Sequence, residues 1–563
     1  MALTVGLAPG VTWSQPLPDS PRPEQLGLRA FVRRVLDHNE SIQVRLLETE
    51  IARRKVLAEK GVFEPELVGG PEHVENERQN TAEQRRSTLE AFFAEKNNIY
   101  NGGIESLVPS GGRVRIGYTL RRLENSLQYT GFGTNRTRLP AEYQTFAGVS
   151  LTQPLLKNGG WNASMANIRL AAIASEVAFQ EYRRQLMITV SASEAAYWNL
   201  FLAQEQLLFF RESVSLAETL LADNKARLAA GKGTELDVLE AEAGLALRQS
   251  KHSEAVQKYY EAVNRMLALY ADSAISTNAL LIAAEEPAPR DLPLSYFEAW
   301  QVAFDLNPDY LSQRKKAIAE DIRLAYARNQ RWPQLDLKAS YGLNGLGDSP
   351  GVSWSDVEHG DFPSWTVGLE LRLPLAGGIK TRHELDAAKL RQKQSLLTLK
   401  EIETQIANAL HTAIHKVISA RDSVASYQAA VRFAQSVLDS GLERLKLGRV
   451  ESRTVLEDEA KLLEAKVAAV EAEVTLQRAW LELELVQGAV LRNRQLELSQ
   501  QELKEHTAPL VRRGEMTEAD YQQFLREVRA AYDQKSSLTP AEERKALEIL
   551  RRTYEEMDAP RSR

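Results

Sequence analysis

Cysteine is absent from the 563 residues. Its absence excludes disulfides, thiolate zinc sites, iron–sulfur clusters, cysteine nucleophiles and acylation at an N-terminal cysteine. No run approaches the ~20 consecutive apolar residues of a membrane-spanning helix, and mean hydropathy is −0.35. A β-barrel stays open, because alternating strands leave hydropathy flat. A dominant charge sign is lacking as well. Seventy Lys and Arg against 76 Asp and Glu give −6, which speaks against a dedicated nucleic-acid binder. Residues 1–13, MALTVGLAPGVTW, do not read as a secretory signal: the stretch is short, broken by Pro9-Gly10, and no Lys or Arg precedes Arg22. Residues 16–23, PLPDSPRP, read as an extended linker. Catalytic signatures are missing too, with no P-loop, dinucleotide fingerprint or G-x-S-x-G. The eight histidines are scattered. Their one close helical pair, His411 and His415, lacks the glutamate of a zincin and reads as two helix-surface residues. Neither an enzyme, nor a cofactor, nor a metal site is expected.

What is present has two periods. Residues 161–227 and 380–440 contain neither Gly nor Pro. At ~1.5 Å per residue a ~60-residue helix spans roughly 90 Å, far beyond the ordinary globular helix of about 11 or 12 residues. Such lengths mean a coiled coil, a repeat array or a helical tube. Between them lie alternating segments. In residues 113–121, RVRIGYTLR, Val114, Ile116, Tyr118 and Leu120 share one face and Arg113, Arg115, Thr119 and Arg121 the other. Leu335, Leu337, Ala339, Tyr341 and Leu343 alternate with Asp336, Lys338 and Ser340. Trp365, Val367, Leu369, Leu371 and Leu373 alternate with Thr366, Glu370 and Arg372. A fourth run, 143–152, alternates less cleanly because Phe146 falls on the polar side. This pattern suits transmembrane strands; the alternative is an amphipathic sheet on a soluble core.

The chain also repeats itself. Residues 227–243, RLAAGKGTELDVLEAEA, and 444–460, RLKLGRVESRTVLEDEA, share Arg, Leu, Gly, Val, Leu, Glu, Glu and Ala at an offset of 217. Pro65 and Leu67 match Pro333 and Leu335 at an offset of 268, and Pro154-Leu155 matches Pro374-Leu375 at 220. The drop places an insertion of roughly 48 residues in the first strand region. Each half reads helix, strand pair, long helix, sharp turn, long helix. Gly231 and Gly448 end one helix, and Thr234 or Ser452 caps the next. The implied divisions are an extended segment (1–25) and a first repeat (26–286, strands in 65–154, hairpin 161–270). A second repeat (287–501, strands in 333–374, hairpin 380–495) and a charged helical extension (502–563) follow.

These residues resemble the TolC-type outer-membrane efflux protein family. The most diagnostic stretches are LNPDYLSQRKKAIAEDIRLAYARNQRWPQLDLKASYG (306–342), SLTQPLLKNGGW (150–161) and GKGTELDVLEAEAGLA (231–246). The resemblance implies a mainly α chain with a membrane β-barrel portion. In a homotrimer, each chain gives four strands to a shared twelve-stranded barrel and its long helices to a trimeric α-barrel across the periplasm. It implies passive export together with a periplasmic adaptor and an inner-membrane pump, in contact with outer-membrane lipid. Val114, Leu337 and Leu369 then face lipid, and Arg115, Lys338 and Arg372 face water. The resemblance places the periplasmic gate after the helix turns, at Thr454 and Glu457 of the second repeat and Asp237 and Glu240 of the first. Glu457 is the best candidate for an acidic ring. Adaptor docking falls on Gly231, Thr234, Gly448 and Ser452. The insertion around residues 70–100 is expected to be an enlarged extracellular loop or an extra hairpin. The competing classes are a periplasmic adaptor and a soluble coiled-coil scaffold.

Overall fold

The structure, a computed structural model, describes residues 24–88, 91–126, 128–130, 137–269, 281–288, 290, 295–375, 377–447 and 449–496. Gly448, the linker before Glu24 and the extension 502–563 lie outside these. By packing the chain divides into two compact units. Among the described residues one comprises 46–181 and 308–405, and the other the remaining segments within 24–45, 182–307 and 406–496.

The first unit holds one six-stranded antiparallel sheet. Its strands are β1 (Glu66–Gln79), β2 (Phe92–Leu107), β3 (Arg113–Leu123), β4 (Glu142–Pro154), β5 (Gln334–Gly347) and β6 (Pro363–Arg372), in the spatial order β6-β5-β4-β3-β2-β1. All four segments read as alternating are strands. The count of four per chain is corrected to six, because the insertion is a hairpin, β2–β3, built into the sheet between β1 and β4. Residues 66–79, ELVGGPEHVENERQ, hid β1 by their charge, Gly pair and Pro. Proline is tolerated there because β1 is an edge strand.

Register separates two faces. Val114, Leu151, Ala339 and Val367 share one row, and Ile104, Ile116, Val149, Tyr341 and Trp365 the next row on that face. On β6, Leu371, Leu369, Val367 and Trp365 remain 62%, 68%, 65% and 72% exposed, an uncovered apolar band. Leu337 and Leu369 are paired within it. The opposite face carries Arg115, Lys338 and Arg372, as the alternation predicts, with Lys338 ion-paired to Glu370. One row of this charged face is all glycine across four strands, Gly103, Gly117, Gly148 and Gly342. Phe146, on the same face, lies over Gly148 and Gly342, where a Cβ would run into its ring.

Nearby helices of this unit are α2 (Glu40–Lys60), α6 (Pro308–Gln330) and α7 (Pro350–His359), the last capped by Ser349 and packed on β4 and β5. Two helices predicted from the breaker-free stretches are continuous, α3 (Ala166–Ala229, 64 residues) and α8 (Ile379–Lys446, 68 residues). Each contributes its first part to this unit and the rest to the second.

The second unit adds α1 (Leu28–His38), α4 (Glu235–Leu267), α5 (Tyr296–Leu306) and α9 (Ser452–Gln487). Its larger core gathers Phe31, Val35, Tyr197, Leu200, Met266 and Leu281, each fully buried. Burying one such side chain contributes about 1.5–3 kcal/mol. The buried Tyr197 hydroxyl donates to Leu26 O (3.1 Å) and accepts from Glu285 N (3.0 Å), so it costs no unmet hydrogen bond. Arg494 bridges Glu194 and Glu484 nearby, and those carboxylates hold its guanidinium above its usual range against the opposing effect of burial.

Candidate functional site at the two hairpin turns

The first turn is closed locally. After α3, Lys232 N donates to Arg227 O (2.8 Å) and Gly231 takes φ +66°, a left-handed value that favours glycine. Thr234 then caps α4. Its hydroxyl oxygen accepts from Asp237 N (3.2 Å), and its own N–H donates to Asp237 Oδ2 (2.8 Å). This is a capping box. The Thr234 backbone N–H, then its hydroxyl, hold the Asp237 carboxyl below the usual aspartate range.

The second turn lacks such a cap. The N-cap position of α9 is Glu451, with no side-chain cap hydrogen bond. Ser452, expected as the cap, sits one residue inside the helix, and its hydroxyl donates to Asn224 Oδ1 (2.7 Å). Asn224, in α3, also donates to Asp237 O (3.2 Å), so one buried amide touches both turns. Arg227 donates to Leu445 O (3.2 Å). Arg453 lies 3.0 Å from Glu457 and 3.6 Å from Glu240, linking the candidate acids of the two repeats. The Glu457 bond and these charges raise the Arg453 pKa further. Thr454 is exposed, its N–H donating to Glu451 O (3.1 Å).

Deeper in the same pair of hairpins, Arg248 of α4 meets Glu459 of α9 at 2.5 Å, with side chains 9% and 7% exposed. Arg248 also donates to Ser213 Oγ (3.2 Å), Gly244 O (3.2 Å) and Leu456 O (2.9 Å). All three guanidinium nitrogens donate, which is what permits a charge at this depth. Leu220, Leu438, Leu445, Val455 and Leu462 form the surrounding core. A cleft of about 340 Å³ opens beside these residues, lined by Asn224, Asp237, Glu240, Ser452, Arg453 and Glu457.

The structure therefore brings Thr234, Asp237, Glu240, Ser452 and Glu457 into one neighbourhood, while Gly448 lies outside the described residues. Glu457, the expected ring residue, is exposed and ion-paired with Arg453. Sequence reasoning missed Arg453, whose i, i+4 spacing to Glu457 was a usable signal. It also missed Asn224, Arg248 and the burial of Glu459. The His411 and His415 rings lie 4.5 Å apart, tilted by 59°, with Tyr296 edge-on to His411. Among the described residues no group of three or more His, Cys, Asp or Glu could hold a metal.

A family model described as outer membrane efflux protein matches residues 125–271 and 301–489. The outer membrane efflux protein BepC of Brucella suis is 24% identical over 62% of this chain and 73% of its own. The alkaline protease secretion protein AprF of Pseudomonas aeruginosa is 23% identical over 63% of this chain and 72% of its own. The solved CmeC outer membrane channel of Campylobacter jejuni superposes with a TM-score of 0.58 at 14% identity, over 90% of this chain and 98% of that one.

Proposed function

The chain belongs to the outer membrane efflux protein family and is an outer-membrane channel, and from that premise we propose that it is the passive exit conduit of a pump-driven export system. The observation that carries this reading is the sheet's division into an uncovered apolar band and a charged face. The first suits lipid and the second a water-filled lumen. A six-stranded sheet with two open edges cannot stand in lipid, and closure takes about eight strands. Three copies sharing one barrel meet that requirement. No residue is asked to do chemistry; cargo passes through.

The repeats 26–286 and 287–501 each supply one helical hairpin. Their turns form the periplasmic mouth, on which the helical tips of an adaptor dock at Gly231, Thr234, Gly448 and Ser452, with an inner-membrane pump delivering cargo. Asn224 and Arg453 hold the second turn to the first, so opening the mouth requires breaking Ser452–Asn224 and Arg453–Glu240.

Light scattering on detergent-extracted protein from the outer-membrane fraction tests the channel: a trimer is expected, and a water-soluble monomer or dimer overturns it. For the gate, Arg453→Ala combined with Ser452→Ala is expected to raise single-channel conductance severalfold in planar bilayers. Unchanged conductance removes the gate role and leaves the channel standing.

A further inference from the structure

To the six-stranded sheet the second half of the chain contributes two strands, β5 and β6, and the first half four. The additional pair, β2–β3, sits between β1 and β4, the strands that correspond to β5 and β6. We propose that this hairpin is barrel wall, that β1 of one copy pairs edge to edge with β6 of the next, forgoing one ladder hydrogen bond at Pro71, and that three copies thereby close an eighteen-stranded barrel. The proposal rests on the trimeric reading above.

The hairpin is integrated into the sheet on both sides. β3 registers with β4 from Arg113–Thr152 to Leu123–Glu142, and β2 with β3 from Leu107–Arg113 to Asn98–Arg122. From Arg113 to Arg121 β3 alternates in phase with β4, and β2 joins that pattern near its C-terminal end, whereas farther along it places Asn98 and Lys96 on the apolar side and Ile99 on the charged side. Ile104 and Ile116 extend the apolar band, and Glu105 and Arg115 extend the charged face.

The turn that closes the hairpin is anchored at the helix-joined end of the sheet. Val108 N donates to Gly112 O (2.7 Å), Ser110 Oγ donates to Gln153 Oε1 (2.8 Å), and Gly160 N donates to Ser110 O (3.0 Å). Gly111, at φ +88°, sits where a Cβ would strike Asn158 O. β1, β4, β5 and β6 each run on into a helix at this end, while β2 and β3 simply turn back. The hairpin widens the wall without asking for another helix.

Two geometric facts favour closure by further copies of the same sheet. An even number of strands makes β1 and β6 run in opposite directions, so copies meet antiparallel. The sheet is also staggered as a closed barrel must be. Glu66, the first residue of β1, shares its register row with Glu105, Arg115, Ser150, Ser340 and Thr366, and Thr366 lies six residues above the end of β6 at Arg372. A slide of six residues over five strand steps, at ~3.3 Å per residue and ~4.8 Å per strand, is a tilt of about 40°. At that tilt eighteen strands give a backbone diameter of about 36 Å and twelve about 24 Å.

The cysteine-free chain allows a direct test. A single cysteine on β1 (Leu67→Cys) is combined with single cysteines on β6 (Leu369→Cys, Leu371→Cys), oxidised in the native outer membrane and run on denaturing gels. A matched set places the first cysteine on β3 (Val114→Cys, Ile116→Cys). Barrel diameter by electron microscopy and assembly mass by light scattering accompany both. Intermolecular β1–β6 links in a trimer about 36 Å across are expected. β3–β6 links in a trimer about 24 Å across would place the β1–β2 hairpin outside the wall and overturn the proposal while leaving the trimer intact. A twelve-stranded dimer with β1–β6 links would instead overturn the trimeric reading itself. Failure of both sets in a proven trimer would overturn edge pairing.

Discussion

Glu242 and Glu459 occupy the same position in the two repeats, each followed by alanine, and live in opposite surroundings. Glu242 is exposed on α4 and pairs with Lys225 at 2.9 Å across solvent. Glu459 is buried on α9 and pairs with Arg248 of the other repeat. The turns diverge in the same sense. The first is closed by its own capping box, whereas the second has no cap and lends its serine to Asn224 of the first. The first turn thus carries its own cap, the second is tied to the first through Ser452, and the two hairpins share the buried Arg248–Glu459 pair.

The asymmetry can be broken most severely at Arg248. Arg248→Met strands the buried Glu459 carboxylate and is expected to cost about 3–5 kcal/mol in denaturant unfolding of the detergent-held protein. Adding Glu459→Leu should recover most of that loss, because no unpaired charge then remains. Lys225→Met, at the equivalent exposed pair, should change stability by less than about 1 kcal/mol. Equal losses at the two sites would erase the distinction between the halves.

A smaller effect is expected at the caps. Thr234→Ala removes a capping box and should cost about 1 kcal/mol, seen as faster hydrogen exchange in the first turn of α4. Ser452→Ala should leave the start of α9 as it was, since no cap is lost, and speed exchange around Asn224 instead.

The smallest effect is the pH response of the first cap. The Asp237 carboxyl is held below its unfolded value, so its contribution is complete at neutral pH. It persists down to the ordinary aspartate value of about 3.9 and is lost as pH falls through the folded value. Protection at the start of α4, corrected for intrinsic exchange, should be flat from pH 8 to 5 and fall below about pH 4. The start of α9 should show no such step if the second turn is truly uncapped.

How much of this was legible in the sequence follows from the range of each interaction. Long helices announce themselves by the absence of breakers, and β3, β5 and β6 by strict alternation. β1 and β2 did not, because Gly69-Gly70-Pro71 and Gly102-Gly103 interrupt their pattern and much of β1 is charged. Their strand character comes from pairing with neighbours, which a period-two reading does not see. Thr234 with Asp237 is a local signature and was readable. Ser452 carries the same kind of side chain but sits one residue late for capping, a shift that only backbone geometry reveals. Arg248 and Glu459 are 211 residues apart, and nothing in either helix's own composition marks one as the other's partner.

The five-residue turn between β2 and β3 has a consequence for how such a wall can grow. Because it returns the chain to the side from which it came, a strand can be added only together with its return, and the number of helices is left untouched. Under threefold symmetry each such event enlarges the ring by six strands, which widens it by about 12 Å. Aperture in this architecture is therefore quantised: the exit changes in coarse steps, while the helical passage that feeds it keeps its own count.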